Sequence, residues 1–153
     1  MLAGHLAAAG AALMLVAAAP PPLAPEQYVA ARQASLDMSV IAFGALQNAA
    51  RTGADVSKSV YTATGLARWA KVLPTLFPAG TGEGSVSVMT QARPVIWSDR
   101  AGFEARAANY AAQTEKLVQL AKAGDADGFK AQVGEVSKAC DACHAAYKDG
   151  PQK

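Results

Sequence analysis

Residues 129–148 read FKAQVGEVSKACDACHAAYK, and their apolar pattern decides the fold. Phe129, Val133, Val136, Cys140, Cys143 and Tyr147 recur in an unbroken four-three alternation. That is the period at which side chains stack on one face of an α-helix. The stretch is therefore predicted to be helical, with both cysteines on its buried face and Asp125 or Asp127 capping its start.

The same signal extends backwards along the chain. A preceding helix is expected from a Ser98 or Asp99 cap to Gly124, with Phe103, Ala107, Tyr110, Thr114, Leu117 and Ala121 on its inner face. Nearer the N-terminus, Val29, Gln33, Leu36, Val40, Phe43 and Gln47 mark a helix from Glu26 to about Arg51, stopped by Thr52-Gly53. A second helix is expected from Asp55 or Ser57 to Phe77, with Val60, Ala63, Ala67, Ala70 and Leu73 inward and Pro74 bending or ending its last turn. Residues 78–85 are a loop by composition, and the chain is expected to stay irregular to Trp97, with Pro94 breaking any regular element. Four helices with short first and third connections predict an all-α, antiparallel four-helix bundle with room for a cofactor inside. The composition, 52% hydrophobic but only 7% aromatic and rich in alanine, favours close helix packing.

Residues 1–24 read as a removable secretory leader, cleaved between about 18 and 24, with residues 25–153 as one domain. The first nineteen residues carry no Lys, Arg, Asp or Glu, and their apolar run ends in small residues before Pro20-Pro21-Pro22. The run is shorter than the roughly 20 residues a bilayer crossing needs, so no stable span is expected after cleavage. Removing the leader takes away His5 and leaves His144 as the one histidine, with Met38 and Met89 as the only methionines. A net charge of +2 gives no basic patch dense enough for nucleic acid.

Cys140-Asp141-Ala142-Cys143-His144 is the C-x-x-C-H pattern of covalent haem attachment. Residues at i and i+3 lie one turn apart on one face, so two sulfurs can reach two vinyl groups of one porphyrin. His144 then offers an imidazole nitrogen to the iron. A Cys140–Cys143 disulfide would close a tiny loop within a helix and gain little. Zinc normally requires four protein ligands, and only three Cys or His remain after cleavage. A thioredoxin-type redox pair needs a helix N-terminus to depress a thiol pKa, whereas this pair lies near a C-terminus.

Over essentially the whole mature sequence the chain resembles the cytochromes c′, the class II c-type cytochromes. Beyond Cys140–His144 and Tyr147, the resemblance rests on Arg32-Gln33 with Leu36, Phe43-Gly44, the 78–84 loop, and the run from Pro94 to Asp99 followed by Phe103. It implies one haem c attached to Cys140 and Cys143, with His144 as axial ligand and Arg32 and Gln33 near the propionates. Thr81 and Glu83 would belong to the loop at the haem edge. Leu36 and Phe43 would form the distal pocket; a methionine at the position of Leu36 would be the sixth ligand of low-spin relatives. The expectation is five-coordinate iron that binds NO and CO, in a bacterial periplasmic protein that buffers or sequesters NO.

The alternative from the resemblance is an electron carrier serving a redox partner protein, six-coordinate if Met38 ligates. Met38 lies about 200° round the helix from Leu36 at 100° per residue, facing away from the haem. No catalytic cycle is expected, because the matched distal residues are apolar. The resemblance also implies a homodimer through the first two helices, with Met38 and Ile41 on the outer face. Lys148 stands where relatives often have an arginine four residues after the histidine; it keeps the charge but loses the planar fork.

Overall fold

The computed structural model describes residues 22–150. The leader expected at residues 1–24 lies outside the described residues except for its last three positions. The chain forms α1 (Pro25–Thr52), α2 (Val60–Val72), a single turn α3 (Val95–Ser98), α4 (Arg100–Ala123) and α5 (Ala126–Tyr147). Helix α4 packs against both α2 and α5, and α1 packs against the same two helices. This is the antiparallel four-helix bundle, closed as a square.

Local chemistry sets the helix ends. Pro25 opens α1, where its missing N–H has no partner to lose. The side chain of Gln27 accepts the Ala24 N–H at 2.8 Å. Asp99 and Asp125 cap α4 and α5, their Oδ1 atoms accepting from Gly102 N at 3.1 Å and Gly128 N at 2.9 Å. Helix α4 ends at Gly124, whose φ of 67° is the left-handed conformation that glycine adopts without strain.

Two expectations are corrected. The second helix is not continuous from Asp55 or Ser57 to Phe77: 3₁₀ turns at Val56–Ser59 and Leu73–Leu76 flank α2. Pro74 has no N–H to donate back to residue 70, so the last turn tightens. The stretch before Trp97 is also not wholly irregular. Pro94 opens α3, because its fixed φ suits a first turn, and Ala92 pairs antiparallel with Lys148.

The core follows the expected stripes on the last two helices, with Phe103, Ala107, Tyr110, Thr114, Leu117 and Ala121 buried on α4 and Phe129, Val133 and Val136 on α5. The α1 stripe behaves differently. Val29 and Leu46 are buried, whereas Val40 is 70% exposed and Gln33 and Gln47 face outward from the apolar core. Gln33, Leu36, Val40, Phe43 and Gln47 instead line a cavity that is partly open to solvent, so the periodicity marks a wall rather than packed core.

Candidate functional site

The site lies where α1 faces the C-terminal half of α5. Two lobes meet there, of about 250 and 370 Å³. Leu36, Leu73, Cys143, His144 and Lys148 line both. Arg32, Gln33, Phe77 and Met89 belong to the smaller lobe, and Val40, Phe43, Trp69, Tyr110 and Cys140 to the larger. Residues 104–108 positions apart in sequence, Leu36 and Cys140 to His144, thus share one concavity.

Cys140 and Cys143 are unpaired and half-buried, one helical turn apart. Burial first, and then the charges of Asp141 and Cys143, push the Cys140 thiol up to about 11. Burial raises the Cys143 thiol too, against the opposing charge of Arg106. Both thiols are therefore protonated near neutral pH, opposite to the depressed thiol of a redox dithiol pair. Burial, reinforced by Lys148, lowers the pKa of His144 against the pull of Asp141. Its imidazole is held neutral, with a lone pair free for a metal.

Arg32 is 2% exposed. Its Nη1 donates to Thr81 Oγ1 at 2.9 Å, and its Nη2 donates to Thr81 O at 2.6 Å and Thr90 Oγ1 at 2.5 Å. The guanidinium also lies 4.8 Å from the centroid of Phe77. All of these partners are neutral, and no carboxylate of the described residues forms an ion pair with it. A buried cation without a counter-charge is costly, so the cavity wall carries an uncompensated positive charge suited to an anionic group.

Thr81 and Glu83 line neither lobe. Thr81 is buried and holds Arg32 while donating to Pro78 O at 2.9 Å. Glu83 donates its backbone N–H to Ala92 O at 3.2 Å, and its carboxyl meets that of Asp149. Gln33 donates to Met89 O at 3.0 Å, tying α1 to the loop. The loop needs Gly82, because a Cβ there would collide with the Trp97 ring, whose Nε1 donates to Pro78 O at 2.9 Å.

Several wall residues are not evident from sequence. Phe77 reads only as a helix end, although an aromatic just before a glycine-rich loop is a usable signal. Thr90 and Met89 lie in an irregular stretch without periodicity, and Trp69 and Tyr110 read as ordinary helix positions. Met38, by contrast, is 65% exposed on the outer face with Ile41 at 67%, away from both lobes.

A family model described as Cytochrome C' matches residues 27–148. The chain belongs to the cytochrome c′ family. It is 33% identical over 131 residues to a cytochrome c′ of Alcaligenes xylosoxydans xylosoxydans, an alignment covering 81% of this chain and 94% of that one. It is 44% identical over 75 residues to the cytochrome c′ of Rubrivivax gelatinosus, covering 49% of this chain but only 56% of that protein. The fold is similar to a nitric oxide complex of a leucine-to-isoleucine variant of cytochrome c prime from Alcaligenes xylosoxidans. There the TM-score is 0.74 at 30% identity, covering 82% of this chain and 97% of that chain.

Cytochromes c′ carry covalently bound haem c, and this is the cofactor of the chain. The residues fit it: two protonated thiols one turn apart, a neutral imidazole beside them, and a buried cation on the wall of a cavity whose surface is mainly apolar.

Proposed function

We propose that Cys140 and Cys143 form the two thioether links to the haem and that His144 is the axial iron ligand. Arg32, with Gln33 beside it, meets the propionate edge, where its planar donor fork and its uncompensated charge match a carboxylate. Thr81 acts through Arg32, and Glu83 through the loop that carries Thr81. Leu36 and Phe43 form the distal pocket. The protein is an exported, periplasmic cytochrome c′ whose five-coordinate iron binds small neutral diatomics and whose role is to buffer or sequester NO.

The observation that carries this reading is the pairing of Leu36 with His144 on one cavity while Met38 points to the outer face. A leucine cannot ligate iron, so one axial position stays open behind an apolar screen. The nitric oxide complex solved for the Alcaligenes relative supports the ligand class. No side chain at the distal position of Leu36 can act as an acid or base, which favours binding over catalysis. No helix among the described residues is long and apolar enough to cross a membrane; the periplasmic assignment rests on the export leader read in the sequence of residues 1–24. Met38, Ile41 and the 88% exposed Tyr61 form an apolar outer face on α1 and α2, which we assign to a homodimer.

Optical spectra of the holoprotein test the reading. The ferric form is expected to be high-spin, and the ferrous form to bind CO and NO. A low-spin ferric spectrum with a methionine–iron charge-transfer band that disappears in Met38→Ala would instead establish the six-coordinate electron carrier.

A further inference from the structure

A second concavity lies apart from the haem cavity. A groove of about 500 Å³ opens on the outer face between α1 and α2. Small residues of both helices form much of it, among them Ala34, Ala42 and Gly65. A Cβ added at Gly65 would meet no atom within 4 Å, so the groove is open there.

Two side chains, Ser39 and Trp69, line both this groove and the larger lobe of the haem cavity. They stand between this groove and the space beside Leu36 and Phe43. Ser39 donates to Leu36 O at 2.7 Å, a bond within its own helix that does not bridge to α2. The indole Nε1–H of Trp69 is buried without an acceptor among the described residues. A buried donor without a partner is uncommon and costs stability. Here it also means that packing alone, and no hydrogen bond, holds the ring in place.

We propose that Trp69 gates a ligand route: a neutral diatomic enters the α1–α2 groove and reaches the distal side of the haem when the indole ring swings aside. The inference rests on the gas-binding reading above. Physical chemistry favours this entrance over the smaller lobe, whose wall carries Arg32, Gln33, Gln91 and Lys148. Weakly polar diatomics gain little from charged and amide groups, whereas a groove lined mainly by apolar surface accepts them. The ring needs only a rotamer change, because no hydrogen bond has to break.

The test is CO association with the ferrous holoprotein by stopped flow, together with geminate rebinding after flash photolysis. The groove lies on the face assigned to the homodimer, so the protein is diluted until it sediments as a monomer. Trp69→Ala, which removes the gate, is expected to raise the association rate at least tenfold and lower the geminate fraction. Gly65→Trp, which fills the groove outside the haem cavity, is expected to slow association at least tenfold. Acceleration in Trp69→Ala without slowing in Gly65→Trp would overturn the route, because it would report only a roomier distal pocket. Unchanged rates in both would overturn it as well and leave the gas-binding reading intact. If Trp69→Ala loses its haem, an unchanged rate in Gly65→Trp alone overturns the gate. A wild-type protein that binds no CO would instead remove the gas-binding reading beneath it.

Discussion

The hydroxyl of Tyr147 donates to Asp99 Oδ2 at 2.8 Å, while Oδ1 of the same carboxylate caps α4 through Gly102 N. One side chain thus fixes the start of α4 and the end of α5, three residues beyond His144. Phe103 stands between them, edge-on to Tyr147 at 5.4 Å and to Phe77 at 5.0 Å, and Phe77 in turn carries Arg32. Tyr147→Phe is expected to cost about 1 kcal/mol, one hydrogen bond. Asp99→Ala, which loses the cap too, is expected to cost about 2 kcal/mol. Urea unfolding of the single and double variants checks this, and the double variant should cost less than the sum, since both remove the same bond.

Arg32→Lys keeps the charge and loses the fork. An ammonium cannot reproduce the guanidinium's paired donation to Thr81 and Thr90, so the change is expected to destabilise the fold by about 1–3 kcal/mol. The denaturant midpoint reads this loss. Thr90→Val should cost much less in the Arg32→Lys background than in wild type.

Attachment through two thioethers predicts a graded response. Cys143→Ser should leave the haem bound through Cys140 alone, with the pyridine haemochrome band moved toward longer wavelength. Replacing both cysteines by serine should let acidified organic solvent extract the haem completely. Full covalent retention in the double variant would refute the assignment of these sulfurs.

The carboxyls of Glu83 and Asp149 meet where the loop rests on the end of α5. The hydrogen bond that protonated Glu83 donates to the Asp149 carboxylate, and then the negative charge of Asp149, hold Glu83 above the usual carboxylate range. A folded-state pKa above the unfolded one favours the protonated form of the fold. The stabilisation is therefore complete below the unfolded pKa of Glu83 and is lost as pH rises through the raised folded value. Thermal midpoints are expected to fall across that window. Glu83→Gln, which keeps a donor without a titrating group, should flatten the profile. Arg93, 3.5 Å from Asp149, remains as the compensating charge at higher pH.

How far the sequence is legible varies along the chain. The α4 and α5 stripes are buried as their periodicity predicts, because both helices bury one continuous face against neighbours. The α1 stripe is equally periodic, yet Val40 and Gln47 face a cavity. Periodicity reports which face turns inward, not whether protein or a cofactor fills the space there. Thr90 and Met89 carry no signal at all, since a loop's contacts depend on what it is folded against.

The sequence by itself determined the four helices, the Asp99 and Asp125 caps, and the C-x-x-C-H spacing on which the proposed haem attachment at Cys140, Cys143 and His144 rests, because these depend on spacings within one turn of helix. Only the tertiary structure decided that Leu36 and His144 share a cavity, that Arg32 is buried among neutral partners, and that Trp69 separates that cavity from an outer groove. Those relations join residues tens of positions apart, and they exist only once α1, α2 and α5 have packed.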